Sequence, residues 1–345
     1  MSLTRPLQGV RVVEFEGIGP GPVAGRMLAG MGAEVVALAR PTSRVNLKLG
    51  TPVADNPLRE GKSVVEIDLK KPEDVARALD MVAGADVLLE GNRPGVMERL
   101  GLGPSVCLAR NPRLIYGRMT GWGQSGPLAQ AAGHDLNYVA LTGLLSLSAR
   151  PGDRPIVPPT VVGDASGALG LAFGIACALA DVRAGGPGRV VDAAITDVLS
   201  MLGMLAQWVR TRGALDGGQP SVFHDSPYYD TYECADGKYV SVAAMEPQFY
   251  DLFLAKLGLD KVDRRKQDVQ SEWPALKARV TAIFRTRSRQ HWCELLEGTD
   301  VCFAPVLGMA EAAAHPHNVA RRVFRAGAAP GELRPAVAPR FLPAD

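Results

Sequence analysis

The sequence lacks an excess of charge of either sign, a long apolar run and paired cysteines. Its 38 Lys and Arg residues nearly balance 36 Asp and Glu residues, and the net charge of +2 gives no reason to expect nucleic acid or a membrane surface as a partner. The longest apolar stretch, Ala168–Ala180, is shorter than a membrane span and predicts a buried helix. The first residues carry no signal-peptide pattern, so we expect a cytoplasmic protein.

Metal and disulfide chemistry are also poorly represented. The five cysteines are odd in number, widely separated and never form a CxxC pair, which argues against a disulfide framework and against a zinc site. Four of the five histidines have no metal-ligand spacing, and we predict a structural role for them: His224, His291, His315 and His317. The sequence therefore predicts no metal centre.

What the sequence does contain, over its first two hundred residues, is an alternation of short β-branched runs with helical stretches. This alternation is typical of an α/β fold with a parallel sheet covered on both faces. The predicted strands are Val10–Phe15, Val35–Leu38, Ser63–Ile67, Val87–Glu90, Leu114–Gly117 and Arg189–Ala194. The predicted helices between and after them include Pro22–Met31, Pro72–Val82, Ser105–Arg110, Leu136–Leu145, Asp164–Ala180 and Thr196–Arg212.

The pattern changes after a segment rich in Gly, Asp and Pro. Two β-rich runs flank an Ala-Asp-Gly turn, which predicts a hairpin, and three helical stretches follow it. A chain of 345 residues is too long for one ordinary core, so we expect two domains. The predicted parts are a large domain at 1–200, a linker at 201–227, a small α+β domain at 228–308 and a C-terminal segment at 309–345 that returns to the large domain.

The segment Gly17–Pro22 follows the first predicted strand, where a dinucleotide-binding loop would hold a pyrophosphate. Its prolines occupy positions that such a loop leaves open. A tight turn is at least as well supported as ligand binding, and a dinucleotide cofactor is disfavoured.

Three arginines are predicted at the carboxyl ends of parallel strands, where ligands gather in open sheets. These are Arg40, Arg93 and Arg118. Guanidinium groups converging at one rim would bind the phosphates of a nucleotide-bearing ligand. For any one of them alone, a solvated surface position explains the residue equally well.

Three further residues have side chains suited to proton transfer, although helix capping explains each of them too. His134 lies at a predicted helix start, where an imidazole titrates near neutral pH. Asp164 heads a long apolar helix whose free N–H groups offer a site for an oxyanion. Glu246 lies between a predicted strand and a helix.

Several short motifs occur in order along nearly the whole chain. They include Arg40-Pro41, Arg93-Pro94-Gly95-Val96-Met97-Glu98, Thr120-Gly121-Trp122-Gly123-Gln124, Gly133-His134-Asp135-Leu136-Asn137-Tyr138 and Glu246-Pro247-Gln248-Phe249-Tyr250. In this order they resemble the α-methylacyl-CoA racemases, which are part of the family III CoA-transferases. The resemblance implies a Rossmann-like large domain, a small domain, and an interlocked homodimer whose two subunits share each active site.

The resemblance also implies roles for particular residues. His134 and Asp164 match the two proton-transfer groups, and Glu246 matches the acidic residue that supports the histidine from the partner's small domain. The substrate is then an acyl-CoA thioester, and no separate cofactor is expected because CoA is part of the substrate. Together with Arg118 from the strand ends, the expected CoA-binding positions are Arg40, Glu66, Ile67, Asp68, Leu69, Arg93, Gly133, Asp135, Leu136, Asn137 and Tyr138.

Two other functions are compatible with parts of the pattern. A CoA-transferase would use Asp164 as a nucleophile, but it would not need His134 and Glu246. A non-catalytic CoA-binding protein is also considered, because Ala39 and Gly30 replace residues that are aspartate in the family pattern. The joint presence of the histidine and both acids favours racemisation.

Overall fold

The computed structural model describes residues 5–41, 56–150, 152–159, 162–213, 215, 220–327 and 331–341. They form two compact units. Unit 1 comprises the described residues of Met1–Ser148, Pro155–Met204 and Val337–Asp345, and unit 2 those of Ala149–Arg154 and Leu205–Ala336.

Unit 1 is built on a parallel sheet. Its strands are β1 (Arg11–Phe15), β2 (Glu34–Ala39), β3 (Lys62–Glu66), β4 (Val87–Glu90), β5 (Ile115–Thr120) and β6 (Arg189–Ala194). Its helices are α1 (Pro20–Gly30), α2 (Pro72–Ala83), α3 (Val96–Arg99), α4 (Pro104–Arg110), α5 (Asp135–Leu141), α6 (Val162–Arg183) and α7 (Ile195–Leu202). The strand order is β3-β2-β1-β4-β5-β6, with every neighbouring pair parallel. The order reverses between β1 and β4, and ligands in such sheets bind beyond the carboxyl ends of the strands.

The six strands predicted for this part of the chain are confirmed. The predicted and observed ends agree to within one residue for every strand but one. The exception is β5, which continues past the predicted end at Gly117 to Thr120 and so places Arg118 inside the strand. Helix α5 ends at Leu141, before the predicted end, because Gly143 adopts a φ of +81°.

The helix predicted over Thr196–Arg212 is in fact two helices, α7 and α8 (Met204–Thr211). They separate at Gly203, where a Cβ atom would come within 2.8 Å of Leu144 Cδ2. The packing against Leu144 therefore requires glycine at this position. Because glycine has a low helix propensity, the backbone breaks readily there.

Helix α6 is the central helix of unit 1. By length and composition alone it is apolar enough to cross a membrane, but one face packs in the core, where Ala168, Leu171 and Ile175 are fully buried. Burying a Leu or Ile side chain contributes about 1.5–3 kcal/mol, so this face alone anchors the helix to the sheet. The prediction of a core helix is confirmed for this face.

Unit 2 combines a small antiparallel sheet with helices. The sheet has the order β7-β8-β9, from β7 (Tyr229–Glu233), β8 (Tyr239–Ala243) and β9 (Phe303–Pro305). The helices are α9 (Pro247–Lys256), α10 (Trp273–Phe284), α11 (Arg289–Leu296), α12 (Met309–Ala314) and α13 (Pro316–Ala320), and a separate pair of strands is formed by β10 (Phe324–Ala326) and β11 (Leu333–Pro335). The hairpin and the first three helices were predicted, and the elements after β9 were not.

The unit boundaries differ from the predicted domain limits in two respects. Unit 2 continues to Ala336, so most of the segment predicted to return to the large domain belongs to unit 2. The described C-terminal end of the predicted linker is packed rather than free: Ser221 and Ser226 are buried, and the Ser221 N–H donates to Asp225 Oδ2 at 2.7 Å. Turn-forming residues suggested a linker, although their side chains satisfy local backbone groups here.

Candidate active site

A cavity of about 220 Å³ lies at the carboxyl ends of β4 and β5. Its walls come from residues 91–94 after β4, residues 120–122 at the end of β5, residues 131–134, and Tyr138 on α5. Because parallel strands present their carboxyl ends at one edge of the sheet, segments distant in sequence meet there. The cavity lies wholly within unit 1.

His134 is held at the cavity by bonds to the backbone on both sides of it. The chain is extended at His134, with φ −134° and ψ 173°, and α5 begins at the next residue. The His134 N–H donates to Asn137 Oδ1 at 3.1 Å, which is the capping contact considered from the sequence. The hydroxyl of Tyr138 donates to the carbonyl oxygen of Gly133. Two residues predicted to bind CoA therefore fix the backbone that carries the imidazole.

Close packing around Tyr138 requires two glycines. The Tyr138 ring meets the Trp122 ring edge-on, with centroids 4.7 Å apart and an interplanar angle of 83°. A Cβ atom on Gly121 would lie 2.0 Å from Tyr138 Cζ, and one on Gly133 would lie 2.8 Å from Trp122 Cζ2. No side chain fits at either position without displacing an aromatic ring.

Asp135 connects the starts of α5 and α6. It is 5% exposed, and its Oδ1 accepts a hydrogen bond of 2.8 Å from the Asp164 N–H, while Oδ2 accepts a longer one of 3.4 Å from the Gly163 N–H. A carboxylate at this place satisfies first-turn donors of α6 and complements the positive end of the helix dipole. The helix begins at Val162 rather than at Asp164, and two N–H groups of its first turn are already occupied by Asp135.

The electrostatic setting of Asp164 favours its protonated form. Partial burial raises the pKa of Asp164 above its ordinary value, the neighbouring Asp135 carboxylate raises it further, and the imidazole of His134 lowers it. Asp164 is therefore close enough to His134 for the imidazole to affect the pKa of the carboxyl group. Carboxyl and imidazole groups are both common general acids and bases, so the pair is of a kind that can transfer protons.

The segment Gly17–Pro22 reaches the same site. Gly19 has a φ of +80°, and a Cβ atom built on it would lie 3.3 Å from Asp164 Oδ2. Glycine therefore permits both the left-handed backbone and the close approach of the carboxylate. This segment is a turn at the start of α1, which was one of the two interpretations of the sequence. It also packs against the Asp164 carboxylate.

Of the three arginines predicted at strand ends, Arg93 alone lines the cavity. Arg40 directly follows β2 and is exposed. Strand β2 lies on the other side of the strand-order reversal from β4 and β5, which border the cavity. Arg118 requires a correction. It is 6% exposed inside β5, and its guanidinium is already paired with Glu90 and Glu98, so it is not available as a free phosphate ligand.

The other predicted CoA-binding residues are dispersed. Glu66 ends β3, and the segment Glu66–Leu69 lies next to the end of β2, where the Ile67 N–H donates to the Ala39 carbonyl oxygen at 2.8 Å. The Ile67 side chain is 2% exposed in the core, so only its backbone can face a ligand. Leu136 on α5 is 38% exposed but does not line the cavity.

Glu246 belongs to unit 2, where it immediately precedes α9. Its relation to His134 remains a prediction. Within the described ranges no group of three or more His, Cys, Asp or Glu side chains is arranged to hold a metal ion.

Sequence reasoning did not assign several residues that form the cavity. Asn92, Thr120 and Trp122 line it, and Gly19 approaches Asp164. Their positions at or within four residues of the carboxyl ends of β1, β4 and β5 were the available signal, because ligands gather beyond those ends in open parallel sheets.

The chain is similar to known proteins over nearly its whole length. Residues 7–344 match the family model for CoA-transferase family III. The chain is 41% identical to alpha-methylacyl-CoA racemase from Mus musculus over 328 residues, which cover 92% of this chain and 82% of the mouse protein. It is 29% identical to acetyl-CoA:oxalate CoA-transferase from Acetobacter aceti, with coverage of 92% and 85%.

The fold has solved relatives as well. A CAIB/BAIF family protein from Brucella suis superimposes with a TM-score of 0.83 and 26% identity, over 99% of this chain and 94% of that one. A family model that spans almost all of the sequence and a matching fold lead to one conclusion: the chain belongs to CoA-transferase family III.

Proposed function

We propose that this chain is a racemase that interconverts (2R)- and (2S)-2-methylacyl-CoA thioesters. The observation that carries the proposal is the meeting of His134 and Asp164 at the starts of two adjacent helices, with His134 lining a cavity that also contains Arg93. The identity to the mouse racemase supports it. Arg93 is the cation suited to a CoA phosphate.

The reaction moves one proton off the α-carbon and another on. One group, for example Asp164, takes the α-proton while the C–H electron pair moves into the enolate, and protonated His134 returns a proton to the opposite face. Each group is the acid in the direction for which the other is the base, and solvent exchange restores their protonation states. CoA arrives with the substrate, so the proposal needs no cofactor.

Glu246 completes the proposal by orienting the imidazole and balancing its positive charge, supplied from the small domain of the partner subunit. The homodimer that this requires is supported by exposed apolar side chains along α6 and α7: Leu169 is 49%, Phe173 64%, Met201 51% and Leu202 47% exposed. Leu169 and Phe173 lie four residues apart and so share one face of α6, and exposed apolar faces are typical of interaction surfaces. The cytoplasmic location remains a prediction.

The test is to incubate one enantiomer of a 2-methylacyl-CoA in heavy water without any acceptor acid. Entry of deuterium at the α-carbon with loss of optical activity supports the racemase. The variant His134→Ala should lose about 10²–10⁴-fold in rate while CoA binding is nearly unchanged, because a positioned acid or base contributes that much. His291→Ala, an exposed histidine of unit 2, is the matched control and should leave the rate unchanged.

Two outcomes would contradict the proposal. A reaction that depends on added carboxylate would indicate a CoA-transferase, in which Asp164 attacks the thioester to form a mixed anhydride. This second candidate is favoured by the identity to the Acetobacter aceti transferase. Thermal stabilisation by acyl-CoA without isotope exchange would instead indicate a non-catalytic CoA-binding protein.

A further inference from the structure

A buried charge cluster lies beneath the wall of the candidate active-site cavity. Arg118 on β5 and Glu90 on β4 are neighbours in the sheet register, and Arg118 Nε donates to Glu90 Oε1 at 2.8 Å. Arg118 Nη1 donates to Glu98 Oε1 at the same distance. Arg118 and Glu90 are 6% and 1% exposed, whereas the Glu98 side chain is 43% exposed. One guanidinium therefore joins a deeply buried carboxylate to a solvated one.

Glu90 links this cluster to the cavity. Its second oxygen, Oε2, accepts a hydrogen bond of 2.7 Å from the Asn92 backbone N–H, and the Asn92 side-chain amide reaches Met97 Sδ at 3.3 Å. Residues 91–94, which include Arg93, form one wall of the cavity. Arg118 is not among the residues that line it. Arg118 is connected to the cavity wall through two hydrogen bonds: its own to Glu90, and that of the Asn92 N–H to Glu90.

The two hydrogen bonds that Glu90 accepts depend on its being an ionised carboxylate. Burial raises the pKa of Glu90, while the Asn92 N–H and the Arg118 guanidinium lower it and so favour the carboxylate. Both Glu90 oxygens face donors. Replacing one oxygen by an amide nitrogen would place a donor against a donor, and a buried group left unsatisfied is costly. Of these two partners of Glu90, Arg118 lies within β5, whereas Asn92 lies in the loop after β4.

We propose that Arg118 is a positioning residue: acting through Glu90, it holds residues 91–94 in the conformation that places Arg93 against the phosphates of CoA. This inference rests on the proposed function for the identity of the ligand. It assigns Arg118 an indirect role in place of direct phosphate contact. It also gives Glu90 an indirect role: this carboxylate does not touch the anionic ligand but holds the loop that carries Arg93.

The test measures the dissociation constant of free CoA by isothermal titration calorimetry, together with KM and kcat for α-deuterium exchange. Glu90→Gln should raise the dissociation constant and KM about tenfold, as expected for a disrupted charged hydrogen bond, with kcat within about twofold. Glu98→Gln is the matched control, because it removes a carboxylate from the same guanidinium without touching the loop. It should change neither constant by more than about twofold.

A double-mutant cycle separates indirect from direct action. If Arg118 acts through Glu90, adding Arg118→Met to Glu90→Gln should weaken CoA binding little further. Equal weakening by Arg118→Met with and without Glu90→Gln would show direct contact and overturn the inference. Should Arg118→Met fail to fold, CoA binding by Glu90→Gln equal to that of Glu98→Gln would overturn it as well. Wild-type protein that binds CoA but exchanges no α-proton contradicts the racemase proposal alone.

Discussion

Replacing Asp135 by Asn probes how the start of α6 controls Asp164. The asparagine keeps one oxygen, which can still accept from the Asp164 N–H, but it places an NH₂ group opposite the Gly163 N–H. It also removes a negative charge from the positive end of a helix of 22 residues. The change therefore alters hydrogen bonding and electrostatics while the size of the side chain is preserved.

The structure sets the expected size and sign of the effects. Losing a charge-assisted hydrogen bond in a buried site should lower the free energy of unfolding by about 1.5–3 kcal/mol. The Asp135 carboxylate raises the pKa of Asp164, so its removal should lower that pKa. In the direction for which Asp164 is the base, the rate requires the ionised carboxylate. The acidic limb of the kcat/KM profile should therefore move to lower pH.

The assay follows α-deuterium exchange against pH, and urea unfolding measures stability. Asp86→Asn is the matched control, because Asp86 also accepts from a backbone N–H, that of Arg11 at 2.8 Å, but lies on an exposed turn away from α6. The control should leave the acidic limb in place. A folded Asp135→Asn protein whose acidic limb stays fixed or moves to higher pH would refute the reasoning.

Three further predictions follow from the packing. At a pH well above 7, where Glu14 is ionised, Lys62→Met should lower the free energy of unfolding in urea by about 3–5 kcal/mol, because it leaves the buried Glu14 carboxylate unpaired. Lys62 counteracts the burial that raises the pKa of Glu14 to about 7, so without it that pKa rises further; the loss should be smaller at acidic pH, and an equal loss at every pH would contradict this. Gly121→Ala should displace the Tyr138 ring and raise KM for acyl-CoA, and unchanged kinetics would argue against the tight packing. If the proposed homodimer uses the exposed face of α6, Phe173→Asp should shift sedimentation towards monomer, and an unchanged mass would contradict that interface.

Much of unit 1 could be predicted because its signals are local. The strands correspond to short runs rich in β-branched and other apolar residues. Such runs can be located in the sequence without knowledge of any distant contact. His134 and Asp164 were predicted to serve one reaction from the resemblance of their motifs, and this shared role stays a prediction. In the structure Asp135, the residue after His134, accepts a hydrogen bond from the Asp164 N–H. The carboxyl-end rule also anticipated Arg93 correctly, because it directly follows β4.

The remaining features depend on contacts between segments distant in sequence. Arg118 was placed at a strand end, but β5 continues three residues past the predicted end, and two glutamates that neutralise the guanidinium come from β4 and α3. Asp135 was assigned to CoA, yet its hydrogen-bond partners lie 28 and 29 residues away at the start of α6. No periodicity or spacing in a single sequence reports such pairings.

The raised pKa of Asp164 bears on the choice between racemase and transferase. Anhydride formation needs an ionised aspartate as the nucleophile, and a raised pKa lowers the ionised share of Asp164 at a given pH. Racemisation uses the same group as an acid in one direction and as a base in the other, so its two forms must both be accessible near neutral pH. Burial and Asp135 raise the share of the acid form, and His134 limits the rise. A raised pKa suits the direction in which Asp164 acts as the acid, so the direction of the shift accords with racemisation.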